Sequence, residues 1–322
     1  MDLKTKLYQM FILGLDGGEY KNALSKGLGG IIFFTNDIKS NNQFKTLIKE
    51  IKSESLIPPF LSIDQEGGRV ERTENIYGGK KYLSAKFAYE KGEDFLRNQT
   101  ENIAKGLKEF GINLNFAPCT DTNTNPNNPI IGERAFSSNP DDVIKGYDIV
   151  SDIYRKNGII PCIKHYPGHG DANKDSHLTL PEINLSIDEM EKTHIKPFKY
   201  AVDNGVEMIM AAHLHCTCFD KTQIPSSLSS NAISYLRNKL GFDGVIISDD
   251  MIMKGVSDFG QTEACIMGIK AGLNMFIYRN SDSQIINTIE NIYKIAQNST
   301  EIWNNIEYSF EKITQLKMIM NI

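Results

Sequence analysis

The chain has 322 residues, enough to bury a large core in one α/β barrel or in two smaller domains. Its formal net charge of -5 and its scattered lysines and arginines exclude the basic surface that nucleic acid or an anionic membrane would bind. The apolar cluster near the N-terminus, Met10 to Leu15, is too short for a transmembrane span or a signal-peptide core. The five cysteines form no CxxC motif, so we expect reduced thiols in a cytoplasmic protein.

Short apolar runs recur along the chain, and each is followed by a polar residue and a helical stretch. Their cores have about four to six residues, the length of a strand buried on both faces. Seven runs are clear, and "YQMFILG" near the N-terminus supplies an eighth. The seven are "GGIIFFTND" (29–37), "PPFLSIDQEGG" (58–68), "GINLNFAPCTD" (111–121), "GIIPCIKHYPG" (158–168), "GVEMIMAAHLH" (205–215), "FDGVIISDDM" (242–251) and "GLNMFIYRN" (272–280).

Helical patterns lie between these strands. Ser186 and Glu189 have capping-box spacing and predict the start of a helix. Apolar residues recur at i, i+4 and i+7 in two segments: Ile103, Leu107 and Phe110, and Ile285, Ile289 and Ile292. Strands that alternate with helices indicate βαβ units and a parallel sheet. The pattern predicts a single (β/α)8 TIM-like barrel over residues 1–322, with a doubly wound open sheet as the alternative.

A barrel of this kind places its active site at the carboxyl ends of the strands. Several polar residues fall at those positions: Asp64, Lys164, His165, His213, Asp249 and Arg279. This coincidence indicates an enzyme. His213 is interpreted only as a possible pocket residue, since a strand-end histidine is more often hydrogen-bonded and structural.

Three strand-end segments carry candidate binding or catalytic groups. In "IDQEGGRVER", Asp64 could accept hydrogen bonds from substrate hydroxyls while Arg69 or Arg72 approaches a polar group, or the segment could be a plain turn. In "NPIIGERAF", the unusually long loop favours a functional Arg134.

The third segment, "VIISDDMIM", ends an aliphatic strand on two aspartates. Because side chains alternate along a strand, one aspartate should face the barrel mouth and the other away. A carboxylate held there suits a nucleophile or a stabiliser of a developing cation. The spacing does not select between Asp249 and Asp250.

The stretch "KHYPGHGDANKDSHLTLP" (164–181) places three histidines and two aspartates within 14 positions. One interpretation is a metal site formed by His165, His169, His177, Asp171 and Asp175, although no helical HxxxH spacing preforms it. The other is a proton-transfer pair, because Asp175 lies two residues before His177 and can orient its ring. A polar glycine-rich loop without chemistry remains a third possibility.

Taken together, "IDQEGGRV", "NFAPCTD", "IIGERAF", the 164–181 loop and "LGFDGVIISDDMIM" resemble the β-N-acetylglucosaminidases of glycoside hydrolase family 3. The resemblance runs in order over nearly the whole chain. It implies a (β/α)8 barrel, a retaining mechanism with a covalent glycosyl-enzyme, and no cofactor or metal. It also implies a nucleophilic Asp249 and an acid/base His177 paired with Asp175.

By motif position, the same resemblance implies that five residues hold the sugar: Asp64, Arg72, Arg134, Lys164 and His165. The implied substrate is a small carbohydrate, terminal β-linked N-acetylglucosamine on anhydro-muropeptide fragments of the cell wall, cleaved in the cytoplasm. Four alternatives stay open: a metal-dependent hydrolase that uses the His/Asp loop, a non-catalytic sugar-binding barrel, a β-glucosidase of the same family, and an N-acetylglucosaminide phosphorylase. Neither the oligomeric state nor the aglycone preference follows from the motifs.

Overall fold

The computed structural model describes residues 1–76, 79, 81–173 and 180–322. Within these ranges the strands are β1 (Phe11–Asp16), β2 (Gly30–Phe33), β3 (Phe60–Ile63), β4 (Leu114–Asn115), β5 (Ile160–Tyr166), β6 (Glu182–Ile183), β7 (Met208–Ala211), β8 (His215–Cys216), β9 (Val245–Asp250) and β10 (Met275–Asn280).

The α-helices of the same ranges surround these strands. They are α1 (Leu3–Gln9), α2 (Tyr20–Ser25), α3 (Asn41–Glu54), α4 (Ala85–Glu90), α5 (Glu93–Phe110), α6 (Pro140–Lys156), α7 (Ile187–Lys192), α8 (Ile195–Asp203), α9 (Ser230–Ser234), α10 (Lys254–Ser257), α11 (Gln261–Ala271), α12 (Ser283–Ala296) and α13 (Thr300–Ile319). Among them, none combines the length and the apolar character needed to cross a bilayer.

Eight of the strands close into one parallel barrel in the order β1-β10-β9-β7-β5-β4-β3-β2. Closure is explicit, because β1 pairs in parallel with both β2 and β10. The predicted (β/α)8 barrel is therefore confirmed, and the open-sheet alternative is wrong. Seven of the eight strands lie within the apolar runs predicted from the sequence, and β1 begins in the predicted N-terminal run but extends two residues beyond it, to Asp16.

The strands form because their side chains are buried on both faces. Every residue of β5 is buried, and so are the first four residues of β9 and β10. Apolar burial contributes about 25 cal/mol per Å² removed from water, so these strands are held mainly by the layers inside and outside the barrel. The polar exceptions collect at the carboxyl ends, which positions the chemistry at one face.

The predicted helices and their boundaries are also present. Ile103, Leu107 and Phe110 are buried on α5, which ends at Gly111 in a left-handed conformation with φ of 77°. Ser186 and Glu189 form the predicted capping box at the start of α7. Outside the barrel, β6 pairs in parallel with β8 and fixes the chain shortly after the 164–181 loop.

Candidate active site

A cavity of about 240 Å³ opens at the carboxyl ends of the barrel strands. All five residues predicted to hold the sugar line it: Asp64, Arg72, Arg134, Lys164 and His165. Its further polar lining comes from His169, Asp249, Asp250 and Arg279. The cavity is smaller than the roughly 300–1,000 Å³ of pockets for drug-sized ligands, which favours a single small polar ligand.

Lys164 lies at the centre of the polar lining. It is 2% exposed, and its Nζ is 2.7 Å from Asp64 Oδ1 and 2.6 Å from Glu66 Oε1. Burial alone would lower the pKa of Lys164, but the Asp64 and Glu66 carboxylates raise it above its ordinary value. Lys164 is therefore a fixed positive charge at the wall of the cavity.

Arg134 continues this network toward His165. Its guanidinium donates to both oxygens of Glu66, Nε to Oε2 at 2.9 Å and Nη2 to Oε1 at 2.8 Å, the bidentate geometry that arginine and carboxylate favour. Burial would raise the pKa of Glu66, but Arg134 and Lys164 hold it well below its usual range. Arg134 Nη2 also lies 3.3 Å from His165 Nε2.

Asp121 fixes the other side of the His165 ring. Its Oδ2 lies 2.6 Å from His165 Nδ1 and accepts the His165 backbone N–H at 3.1 Å, while Oδ1 accepts the His169 backbone N–H at 2.6 Å. Asp121 is fully buried, which would raise its pKa, but the facing His165 holds the pKa well below the usual range. A carboxylate at Nδ1 favours the tautomer that carries the proton on that nitrogen.

The two aspartates at the end of β9 differ in their partners. Asp250 Oδ2 is 2.5 Å from Nε of Arg279 on β10, and its Oδ1 accepts the Arg279 and Ile252 backbone N–H groups. Asp249 Oδ1 accepts the backbone N–H of Asp250 at 2.7 Å. Among the described residues, no ion pair forms at Asp249, so its carboxylate remains available to a ligand.

Electrostatics keep Asp249 ionised. Burial would raise the pKa of Asp249, but His165, His213, the Asp250 backbone N–H and Lys164 lower it below its ordinary value. Burial raises the pKa of Asp250, and Arg279 only partly opposes this effect. The expectation that one of the two aspartates points away from the barrel mouth is wrong, since both line the cavity. Asp250 pairs with Arg279 of the neighbouring strand, where the β9–β10 register is irregular.

The two arginines of "GGRVER" have different surroundings in the structure. Arg72 lines the cavity and stacks on Phe34, with 5.7 Å between the guanidinium carbon and the ring centroid. Its Nε is buried without a hydrogen-bond partner among the described residues. Arg69 instead donates to the Pro129 and Ile130 carbonyls of the long loop after β4. Arg72 is thus the one placed to meet a ligand.

The chain leaves β5 through a tight turn at the start of the 164–181 loop. The Gly168 N–H donates to His165 O at 2.8 Å, and Gly168 has φ of 123°, which favours glycine. A Cβ on Gly170 would lie 1.7 Å from Thr122 O, so only glycine fits there. Asp175 and His177, the predicted acid/base pair, lie outside the described residues.

The proposed metal ligands do not all converge. His165 faces Asp121, whereas Asp171 Oδ1 accepts from the Thr124 hydroxyl at 3.0 Å. His169 is buried at the cavity wall with both ring nitrogens lacking partners among the described residues, and burial lowers its pKa to about 4. The potential ligand group in the described ranges is a different one, Cys119, Asp121 and His165.

His213 lies behind the cavity wall. It is 1% exposed, and its Nδ1 is 2.7 Å from the Ser227 hydroxyl. Burial lowers its pKa, although the nearby Asp249 and Asp250 carboxylates oppose the shift. This position agrees with the interpretation of His213 as a hydrogen-bonded structural residue.

Sequence reasoning missed Glu66 and Asp121 as site residues. Both stand inside the quoted motifs "IDQEGGRV" and "NFAPCTD", so the motifs marked the segments but not the individual side chains. Glu66 follows Asp64 by two positions, the spacing that sends two side chains to one face of an extended segment. That spacing was the available signal for Glu66, whereas no local pattern pairs Asp121 with His165, 44 residues away.

Sequence comparison places the chain among known glycosidases. The model of the glycosyl hydrolase family 3 N-terminal domain matches residues 2–316. The β-hexosaminidase A of Pseudoalteromonas piscicida is 33% identical over 270 residues, which are 77% of this chain and 45% of that protein. The chain thus spans about half of that relative. The β-hexosaminidase of Tolumonas auensis is 32% identical over 271 residues, 83% of this chain and 80% of that protein.

Solved structures agree with the sequence relatives. The glycoside hydrolase family 3 β-N-acetylglucosaminidase from Paenibacillus sp. str. FPU-7 superposes with a TM-score of 0.93 at 28% identity, over 100% of this chain and 63% of that one. LpqI of M. tuberculosis superposes with a TM-score of 0.89 at 25% identity, over 98% and 94% of the two chains. The resemblance read from the motifs is confirmed. The chain therefore belongs to glycosyl hydrolase family 3, a family of glycoside hydrolase enzymes.

Proposed function

We propose that the protein is a retaining exo-β-N-acetylglucosaminidase. One observation carries this proposal: a buried carboxylate, Asp249, is kept ionised in a small cavity and is left without an ion-pair partner among the described residues. The adjacent Asp250 is bound to Arg279. A carboxylate in this state is suited to attack an anomeric carbon and to stabilise the oxocarbenium-like transition state.

The remaining cavity wall suits a sugar. Asp64 supplies carboxylate acceptors, and Arg72, Arg134 and Lys164 supply donors for hydroxyl and N-acetyl oxygens. His165 Nε2 faces Arg134 while Nδ1 is held by Asp121, so its orientation is set before a ligand binds. A cavity of about 240 Å³ fits one sugar residue, which supports action at the chain end.

The acid/base assignment rests on the family motif. In the first step, a carboxylate oxygen of Asp249 attacks the anomeric carbon while His177 gives its proton to the glycosidic oxygen, and the aglycone leaves as an alcohol. In the second step, neutral His177 takes a proton from water, whose oxygen attacks the anomeric carbon and releases Asp249. Histidine suits both steps because its unperturbed pKa of about 6.5 lies near working pH, and Asp175 would stabilise its charged form.

The substrate assignment follows the names of the relatives. The two curated relatives are β-hexosaminidases, and the Paenibacillus structure is a β-N-acetylglucosaminidase. We therefore propose terminal β-linked N-acetylglucosamine as the cleaved residue. The family resemblance also supports muropeptide fragments of the cell wall as the natural substrate and the cytoplasm as the place of reaction.

The test is an assay on chromogenic β-N-acetylglucosaminide and β-glucoside in EDTA, with Asp249→Asn and Asp250→Asn as a matched pair. The first change should lower kcat by at least about 10³-fold, because it removes the carboxylate proposed to form the covalent intermediate. The second should cost far less, since it loosens only the Arg279 contact. His177→Ala should lower kcat by about 10²–10⁴-fold.

Contrary results separate the alternatives. Activity that disappears in EDTA and returns with added metal would support the metal-dependent hydrolase. Preference for the glucoside would support the β-glucosidase. Faster cleavage with inorganic phosphate, with a sugar phosphate as product, would support the phosphorylase. Equal loss in both aspartate variants would remove the argument for Asp249 as nucleophile.

A further inference from the structure

Two cysteines lie two residues apart in a tight turn that follows β8. Cys216 is the last residue of β8, and its carbonyl accepts the backbone N–H groups of Phe219 at 3.0 Å and Asp220 at 3.2 Å. A turn brings residues i and i+2 closer together than an extended strand does. A disulfide needs Cα atoms about 4.4–6.8 Å apart, which a turn of this kind can provide.

The surroundings of the two thiols differ from those of the remaining cysteines. Cys218 is partly exposed, and a hydrogen bond from the Cys216 thiol lowers its pKa, while burial raises the pKa of Cys216. The other three cysteines, Cys119, Cys162 and Cys265, are buried and have raised pKa values. Because the thiolate is the reactive form, Cys218 is the thiol best placed to react, with Cys216 beside it as the second thiol.

The same turn is bound to the chain that leaves the 164–181 loop. His215 N–H donates to Pro181 O at 2.8 Å, and Thr217 N–H donates to Ile183 O at 3.1 Å. The Thr217 hydroxyl donates to Asn184 Oδ1 at 3.0 Å. Thr217 stands between the two cysteines, and Pro181 follows His177 by four residues. Any change of the turn therefore acts on the segment that begins four residues after His177 in the sequence.

We propose that Cys216 and Cys218 form a reversible thiol–disulfide couple that regulates the enzyme through this anchor. The regulatory part rests on the proposed function, since it acts on His177. The oxidant is a low-molecular-weight disulfide such as glutathione disulfide. The Cys218 thiolate attacks one of its sulfurs and releases one thiolate, which leaves a mixed disulfide on Cys218.

The second step closes the couple. The Cys216 thiol loses its proton, attacks the Cys218 sulfur, and releases the second glutathione. Overall the protein gives up two electrons and two protons, and glutathione disulfide becomes two glutathione thiols. The disulfide brings the two Sγ atoms to about 2.05 Å, so the turn has to tighten, which shifts Thr217 relative to its bonds to Ile183 and Asn184. Misplacement of a catalytic group by about 1 Å can cost up to about 100-fold in rate, so kcat should fall. KM should change little, because the residues proposed to bind the sugar do not belong to this turn.

The experiment equilibrates the purified protein in glutathione buffers of increasing oxidised fraction. Intact mass and peptide mapping report whether two hydrogens are lost at Cys216 and Cys218, and kcat and KM are measured on the same samples. Cys218→Ser is the test variant. Cys265→Ser is the matched control, because it removes a buried thiol and keeps the contact with the Tyr278 hydroxyl.

We expect a Cys216–Cys218 disulfide in the wild type and in Cys265→Ser, a fall in kcat that dithiothreitol reverses, and neither effect in Cys218→Ser. A mass that stays unchanged at every ratio, or a mixed disulfide that never resolves, would overturn the couple. A disulfide that forms without lowering kcat would overturn the regulatory part. If the reduced enzyme cleaves no glycoside, the proposed function fails, and the mass measurement still decides the couple.

Discussion

Two buried lysines at opposite ends of the barrel show that the partners of a buried amine decide the direction of its pKa shift. Lys164 lies at the carboxyl end of β5 and is 2% exposed; Lys317 lies on α13 at the amino end of the barrel and is 5% exposed. The pKa of Lys164 is raised, whereas burial lowers the pKa of Lys317 to about 7. The same side chain at nearly the same burial therefore shifts in opposite directions.

The difference comes from the partners. Lys164 has two carboxylates within 2.7 Å, so its charge is compensated at once. Lys317 donates to two neutral oxygens, Gln9 Oε1 at 2.8 Å and Pro58 O at 2.7 Å. Neutral acceptors solvate an ammonium only in part, and the desolvation cost remains. Charge is thus stabilised where a polar ligand would bind and disfavoured where the barrel floor is closed.

Removing the compensated lysine should have the largest effect. Lys164→Met leaves the buried Glu66 side chain and the partly buried Asp64 with one cation fewer, and breaking a buried pair costs up to about 5 kcal/mol in the free energy of unfolding. Activity should be lost as well, because Lys164 lines the cavity. Urea unfolding and the glycoside assay measure the two effects.

The control for this prediction is Lys156→Met, which removes the same kind of side chain from an exposed pair with Asp152. Exposed pairs contribute about 0–1 kcal/mol, so this variant should unfold almost as the wild type does. If the two variants lost the same stability, the compensated network at Lys164 would have no special energetic role.

Lys317, which donates only to neutral oxygens among the described residues, should make the free energy of unfolding depend on pH. Between pH 7 and 10.5 the unfolded chain keeps the Lys317 proton while the native state has lost it, so this residue makes stability rise with pH. Below pH 7 both states are protonated and the full burial cost remains. Across this window the free energy of unfolding should therefore gain roughly 4 kcal/mol from Lys317.

Lys317→Met isolates that contribution from the other titrating groups. Urea unfolding of both proteins at pH 6, 8 and 10 should show a wild-type stability that rises relative to the variant. The prediction concerns how the difference in the free energy of unfolding between the two proteins changes with pH. Loss of the bonds to Gln9 and Pro58 adds a constant offset to that difference. Parallel curves would mean that Lys317 stays protonated in the native state.

The contrast between Lys164 and Lys317 also shows which features could be predicted from the sequence. Each barrel strand is a local apolar run, so eight strands and their closed parallel order follow from short-range pattern and known topology. Lys164 was predicted because it ends such a run inside a motif. Lys317 was not, since nothing in the helical pattern of α13 shows that this lysine turns inward beneath β3.

The site divides in the same way. Asp64, Arg134 and Lys164 lie at the cavity, as the motifs predicted, but their bonding depends on contacts between distant segments: Lys164 and Asp64 are 100 residues apart. Spacing alone left the choice between Arg69 and Arg72 open, and only the family resemblance selected Arg72. The path of the loop after β4, whose carbonyls bind Arg69, gives the physical reason for that choice.

The smallest expected effect concerns a buried carboxylate that only positions its neighbours. Asp121→Asn keeps the shape of the side chain but gives it one acceptor instead of two, so it cannot serve His165 Nδ1 and the His169 N–H together. Loss of such a supporting contact typically costs about 10–100-fold, and we expect it mainly as a higher KM because His165 lines the cavity. Steady-state kinetics at several pH values measure it.

Asp171→Asn is the matched control, since Asp171 accepts from the Thr124 hydroxyl and does not line the cavity. Its kinetics should stay close to those of the wild type. If Asp121→Asn instead lowered kcat and left KM unchanged, the effect would pass through the His169 N–H and the 164–181 loop rather than through His165. The two oxygens of the Asp121 carboxylate would then have different roles. Oδ2 would support ligand binding through His165, and Oδ1 would act through the His169 backbone on the 164–181 loop.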